Sequence, residues 1–309
     1  MQATGANSQL LIGVETTFGV DASTFYRMPF NTSEIVGSRN TTPPATITGN
    51  RNPVQPFDGN KKVGGQVVVP CDSVALWYWL QAAFNNPTIT GSYDHEFLIP
   101  QTQPSLTIEQ GFTDIAQYIK FNGCKINTFG LEVGGDGELT CSFDVIGSQF
   151  SDPSGTPVDA TPTDITLERL NNFQAAIQEG GAPVSNIKTF SLNINMDLDD
   201  TQYVIGGGGI LGFVPEGIPQ ISGSITALFE DAAYLTKAIN STESSLQLTI
   251  TGPGNSILDI TIPELKYSVA SPAIKGPKGI DQTLNFSGYY KDNADSSAIK
   301  VILTNDEAH

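Results

Sequence analysis

The chain has 309 residues, 32 Asp plus Glu against 15 Lys plus Arg, and a formal net charge of −17. That balance argues against a nucleic-acid binder, which needs basic side chains to displace phosphate counterions, but not against a protein that stays near DNA without sticking to it. Only 15% of the residues are charged, below the roughly one quarter usual in globular proteins, so the polarity comes from Ser, Thr, Asn and Gln, as on surfaces that neighbouring subunits cover.

The N-terminal MQATGANSQL has no basic start and no hydrophobic run, so no secretory signal is expected. Residues 37–60, GSRNTTPPATITGNRNPVQPFDGN, form a long Pro-rich stretch charged only at Arg39, Arg51 and Asp58. Loops of that length without their own elements are usually functional or disordered. VGGQVVV then reads as a strand. DSVALWYWLQAAF (72–84) reads as a helix, with Asp72 placed to cap free N–H groups and Pro87 to stop it. That helix is apolar almost all round. It is either sandwiched inside its module or turned toward another subunit, and the pattern favours the second.

His95, in SYDHEF between loop and strand, is expected at the surface. PSLTI and ELTCSFDVI are strand-like, and GGDGE at 134–138 is a turn. SDPSGTPVDATPTD marks a linker. TFSLNINM, GSITALF, SSLQLTI, ILDITI and QTLNFSGYY continue the strands, and EDAAYLTKA is a second helix with acids at its positive end. EGGAP (179–183), GGGG (206–209) and GPGN (252–255) are turns. No stretch reaches the roughly 18–20 apolar residues of a membrane span.

Two passages echo each other. KKVGGQVVVPCDSVALWYWLQAAF and PQISGSITALFEDAAYLTKAI both run glycine, β-branched strand, acidic pair, helix. Gly65 aligns with Gly223 and Val67 with Ile225. Further on, SLTI (105–108) aligns with SLQL (245–248), GCKIN (123–127) with ELKYS (264–268), and TCSF (140–143) with TLNF (283–286). The kept order predicts a tandem duplication, with modules at 1–160 and 161–309. It sets Cys71, Cys124 and Cys141 opposite Phe229, Leu265 and Leu284, so the thiols are expected free and buried as small hydrophobes. Their spacing fits neither zinc nor a redox pair, and an odd count fits a reducing compartment.

Signals for chemistry are weak. Gly207-x-Gly209-x-x-Gly212 has the spacing of a dinucleotide fingerprint, yet Phe213-Val214-Pro215-Glu216-Gly217 follows where a helix must open. A flexible loop is the better reading. Asp197-Leu198-Asp199-Asp200 resembles a calcium loop, but Gln202 stands where glycine is needed. Two histidines, His95 and His309, leave little for acid–base work or zinc. The N-x-[ST] matches at Asn31, Asn40, Asn240 and Asn285 carry no weight without a signal peptide. No catalytic residue, cofactor or metal is expected, and no feature asks for an enzyme.

GVETTFGVDASTFYRMPF, TITGNRNPVQPFDGNKKVGGQVVV with its helix, FQAAIQEGGAPVSNIKTFSLNINMDLDD and PEG…SGSITALFED resemble the tail tube proteins of long, non-contractile-tailed bacteriophages. The resemblance covers most of the chain and rests on glycine placement and strand order. It implies a mainly β fold of two tandem modules, each a β-sandwich with a flanking helix and a long loop. It also implies a virion protein, made in the host cytoplasm, whose rings stack into a conduit for the genome. A chain with two modules needs three copies for a six-module ring, and closing sheet edges into a barrel removes them.

A carboxylate-rich wall would let DNA pass without specific binding. The lumen-facing candidates are Glu109, Glu132, Glu138, Asp144, Asp197 and Asp199. Arg39, Arg51 and Asp58 are candidates for contacts between subunits. Tape-measure, terminator and distal tail proteins are the implied partners, and no membrane is involved. Alternatives are a terminator, baseplate or secretion-tube component of the same fold. A glycan- or host-surface-binding β-sandwich, with Tyr93, Tyr289 and Tyr290 as its mild hints, is another, and a hydrolase has the weakest support.

Overall fold

In the computed structural model, which describes residues 2–91, 93–274 and 276–307, the chain is mainly β with two α-helices. His309 lies outside the described residues. Alternation of apolar and polar residues sets most strands, because successive side chains point to opposite faces of a sheet. In the first half these are β1 (Ser8–Val14), β2 (Val36–Thr42), β3 (Phe57–Pro70), β4 (Asp94–Leu98), β5 (Leu106–Phe112), β6 (Gln117–Val133) and β7 (Thr140–Gly147), with α1 (Ala75–Phe84) after β3. In the second half they are β8 (Ala175–Glu179), β9 (Ile187–Asn195), β10 (Gln220–Leu228), β11 (Ser244–Thr251), β12 (Ile257–Tyr267), β13 (Asp281–Gly288) and β14 (Lys300–Thr304), with α2 (Ala233–Ile239) after β10.

The long strand β6 belongs to two layers. Its first part pairs with β5, which pairs with β1, while its second part pairs with β7, which pairs with β3. In the second half β12 likewise pairs with β11, itself beside β8, and its end pairs with β13, itself beside β10. The two halves slip register at matching places, between Leu106 and Ile108 and between Ser244 and Leu246. Gly65 and Gly223 also match. A Cβ on either would overlap a carbonyl oxygen of the segment paired beside it, that of Glu34 or of Ser191, so only glycine allows the approach.

The cysteines are free and buried. Cys71 and Phe229 donate their N–H groups to the carbonyls of Leu139 and Ile280, which makes them equivalent. Cys124 faces Leu106 as Leu265 faces Ser244. The third alignment needs correcting. Val69 pairs with Cys141 while Ala227 pairs with Gln282, so Cys141 matches Gln282 and Phe143 matches Leu284. Ile108 similarly matches Leu246, not Leu248, since each follows the slip by the same step. A two-residue slip preserves alternation, which is why the sequence pattern did not resolve it.

Helix α1 starts three residues after Asp72, whose carboxylate accepts the N–H groups of Val74 and Ala75 at 2.9 and 2.6 Å. It stops at Asn85, which takes φ 66°, two residues before Pro87. The expectation that this helix turns toward another subunit is wrong. All its residues except Tyr78 and Gln81 are buried within the chain. The cover includes β4 and β14, strands some 200 residues apart in the sequence that pair with each other. The same pairing overturns the surface placement of His95. It faces inward at 2% exposure, with its ring 6.0 Å edge-on from Trp77.

Residues beyond β7 run back along the first half. Ser154 bridges to Tyr118, Thr163 and Asp164 pair in parallel with Tyr26 and Arg27, and Leu170 donates to the carbonyl of Cys71.

Candidate channel face

The halves share one sheet. The second part of β6 pairs antiparallel with β9, from Phe190 opposite Val133 to Asn195 opposite Thr128. Strands therefore run in the spatial order β2–β3–β7–β6–β9–β10–β13. One face of this sheet is core: Val67, Phe143, Phe129, Leu131, Leu192, Ile194, Ile225 and Leu284 are buried on it. Pairing register fixes what lies on the other. Ser142, Gly130, Asn193, Ser222 and Ser287 form one row across five strands. Gln66, Asp144, Thr128, Asn195 and Gln220 form the next. Glu132, Ser191, Ser224 and Asn285 form a third, and Thr226 and Thr283 join hydroxyls at 3.0 Å beyond it.

The face is thus a field of short hydroxyl and amide side chains with sparse carboxylates. Such groups stay hydrated and offer no cluster of bases to hold phosphates. The exposed Lys188–Asp281 pair, 2.7 Å apart, stands at one end, and Lys62, Lys125 and Lys266 stand toward the other, where two hairpins leave the sheet. The hairpin between β9 and β10 folds over that end. Glu216 meets Lys125 at 2.6 Å, the carbonyl of Val214 accepts from the same ammonium at 2.9 Å, and the Phe213 ring lies 4.5 Å away. Lys125 is only 2% exposed. Burial pushes the Glu216 carboxyl up, but its bonds from Lys125 and from the Gln103 N–H outweigh that and hold it low.

Several candidate residues lie on this face or at its edges. Glu132 and Asp144 stand on it. Glu138 sits in the turn before β7, where it accepts from the Asn31 amide at 2.7 Å and lies 3.4 Å from Arg169. Asp197 and Asp199 are in the covering hairpin, not on the sheet. Bonds from Thr201 and Gln202 hold the Asp199 carboxyl below its usual range. Glu109 is displaced from the set: its carboxylate is 2% exposed and accepts the Val158 N–H at 2.7 Å. Burial raises its pKa against that bond. Arg39 and Asp58 share the β2–β3 hairpin, 3.9 Å apart, and Arg51 is exposed near its tip.

Sequence reasoning missed the neutral polar rows and the Lys125–Glu216 pair. The rows had a signal, the period-two S-x-N-x-N of 191–195 and S-x-S-x-T of 222–226. The pair had none, because its members lie 91 residues apart. The glycine-rich 206–212 stretch is a loop with Gly206, Gly208 and Gly209 at positive φ, closed by a Tyr203–Leu211 bridge. Among the described residues no group of three His, Cys, Asp or Glu is placed to hold a metal. No described helix is long and apolar enough to cross a membrane.

The family model described as phage tail tube protein matches residues 5–288. The chain belongs to that family. No curated protein matches it. A tail tube family is a structural one, so the polar sheet face belongs to a component of the virion tail.

Proposed function

We propose that the chain builds the tail tube by closing three copies into a ring of six modules, with the polar face of the β2–β13 sheet lining the conduit. The carrying observation is the β6–β9 ladder: two similarly ordered units, read as modules 1–160 and 161–309, already share one sheet within the chain. Repeating that junction between copies would extend the same wall around an axis and remove its free edges. Rings that then stack head to tail grow as an open filament. Glu132, Asp144 and Asp281, with the neighbouring Glu34, are among the carboxylates this places on the wall. DNA would pass without specific binding, and the ends of the tube would meet tape-measure, terminator and distal tail proteins.

Negative-stain imaging of the purified protein tests this. Long hollow polymers with three-fold rings are expected. Rings that never stack would make the chain a terminator, and a monodisperse monomer under all conditions would remove the tube reading. Assembled tubes should also leave duplex DNA unshifted at low salt, where screening reaches about 30 Å at 0.01 M. Tight, salt-sensitive binding would overturn the low-adhesion wall alone.

A further inference from the structure

The hairpin that folds over Lys125 has a counterpart that folds over nothing. A Cβ on Gly217 would overlap the carbonyl oxygen of Asp197, and one on Gly59 would sit tightly, at 3.0 Å, against that of Asn40. Asp199 donates its N–H to Pro215 across one hairpin, and Thr42 pairs with Phe57 across the other. From each glycine, six residues lead without a gap to Gly65 or Gly223. Glu216-Gly217 is therefore equivalent to Asp58-Gly59.

The receptor is duplicated too. Lys125 pairs with Ile146 as Lys266 pairs with Ser287, and each stands next to the matching Cys124 or Leu265. Lys125 is buried under a hairpin from the following half, whereas Lys266 is exposed, and among the described residues no carboxylate pairs with it. Asp58 is 66% exposed, and its ion-pair contact among the described residues is a 3.9 Å approach to Arg39.

The sheet edges match in the same way. Residues beyond Tyr267 correspond to the part of β6 that carries β9, yet they form no strand, and Val269 and Ile274 are exposed at 62% and 82%. Strand β2 is exposed along its whole length.

We infer that the hairpin 36–63 of one copy docks on the second half of the next copy as 193–221 docks on the first half. Asp58 then meets Lys266 as Glu216 meets Lys125, and Val36 stands opposite Ser271 as Asn193 stands opposite Gly130. The partner is a second copy of this chain, and the inference rests on the ring reading above. Pro272 takes the place of Leu131, so one donor of the internal ladder is missing from this junction, as suits an edge that must refuse other strands. The two edges sit at opposite ends of the strand order, so one contact type repeats from copy to copy and closes into a ring where the rotations complete a turn.

Two experiments test it, with the wild-type polymer as reference. Asp58→Lys and Lys266→Glu, both at exposed positions and so neutral for subunit folding, should each raise the concentration needed for polymer formation at least tenfold, and the double variant should restore it. Val36→Cys with Ser271→Cys copies the non-hydrogen-bonded Asn193–Gly130 position, where Cβ atoms approach closely, and should form disulfides between copies on mild oxidation. Covalent species up to the closed ring should appear on a non-reducing gel. The buried native thiols should give none in the parent. Normal polymers from both single charge variants, or assembled tubes whose paired cysteines never cross-link, would overturn the docking while leaving the tube standing. A wild-type chain that makes no polymer would remove the tube reading itself, and this inference with it.

Discussion

Helices α1 and α2 occupy matching places after β3 and β10, yet they are treated differently. Eight of the ten residues of α1 are buried, against Tyr234 and Ala238 of the seven in α2. The difference lies in what covers them. Over α1 lies the β4–β14 pair, and the Asn305 amide donates to the carbonyl of Ser73 at 2.7 Å. Trp79 stacks on Phe143 at 5.0 Å beneath it. Helix α2 rests on β12 through Tyr234 and Tyr267, and Ile239 stays 60% exposed. One fold has thus been closed at one end by a strand of the first half paired with a strand near the C-terminus and left open at the other. Stability should follow that asymmetry.

The largest effect should come from the closed end. Trp79→Ala removes a fully buried indole, and substitutions of that kind cost about 3–5 kcal/mol. Denaturant unfolding of the isolated subunit would measure it. A loss below about 1 kcal/mol, the ordinary cost of a point mutation, would mean that the α1 core is not the tight one.

Next comes the start of α1. Asp72→Ala deletes the acceptor for the Val74 and Ala75 N–H groups and for that of Glu168, which tethers the segment after β7. Caps are worth about 0.5–2 kcal/mol, and the third donor to this buried carboxylate puts it at the upper end. Asp231→Ala, whose carboxylate among the described residues accepts only the Ala233 N–H, at 2.8 Å in an exposed setting, should cost about a few tenths of a kcal/mol. Equal costs would erase the contrast between the two helix starts.

How much of this was legible in the sequence depends on the range of the causes. Gly65 and Gly223 could be matched because a close backbone approach leaves a glycine in the chain itself. Asp72 could be read as a cap because its donors are two and three residues on. His95 could not be placed, since the strand that buries it comes from 300–304. Glu109 looked like a strand carboxylate with an open side, and only the segment after β7, through the Val158 N–H, buries it. The polar rows were visible as alternation, but alternation does not say which strands lie side by side. The β6–β9 junction that makes them one face joins segments from the two halves of the chain.

His95 also marks the closed end with a pH signature. Burial lowers its pKa, outweighing the Asn305 side chain, the Asp94 carboxylate and the Glu307 backbone, which favour the charged ring. The folded state therefore binds the proton less readily than the unfolded chain. Stability is complete above the unfolded value of about 6.5 and falls as pH drops through it toward the lower folded value, by at most about 1.4 kcal/mol per unit. In His95→Gln that slope below about pH 6.5 should flatten. An unchanged slope would assign the acid loss to carboxylates instead.

The smallest effect should be at Ile239, and it tests the open end. In the isolated subunit Ile239→Ala gives up a side chain that is already mostly in water, so little transfer energy is lost. The change also relieves a β-branched residue of its χ1 restriction in a helix, which returns about 0.4 kcal/mol. The two terms oppose each other, and the net should stay within about 0.5 kcal/mol of zero. Leu80→Ala in α1, at 0% exposure, should by contrast cost about 2–5 kcal/mol. The measurement is a pair of urea titrations on subunits kept below the concentration at which they polymerise. A loss above about 1 kcal/mol for Ile239→Ala, beyond what an uncovered surface position gives, would show that α2 has cover inside the subunit, and the closed and open ends would no longer differ in kind.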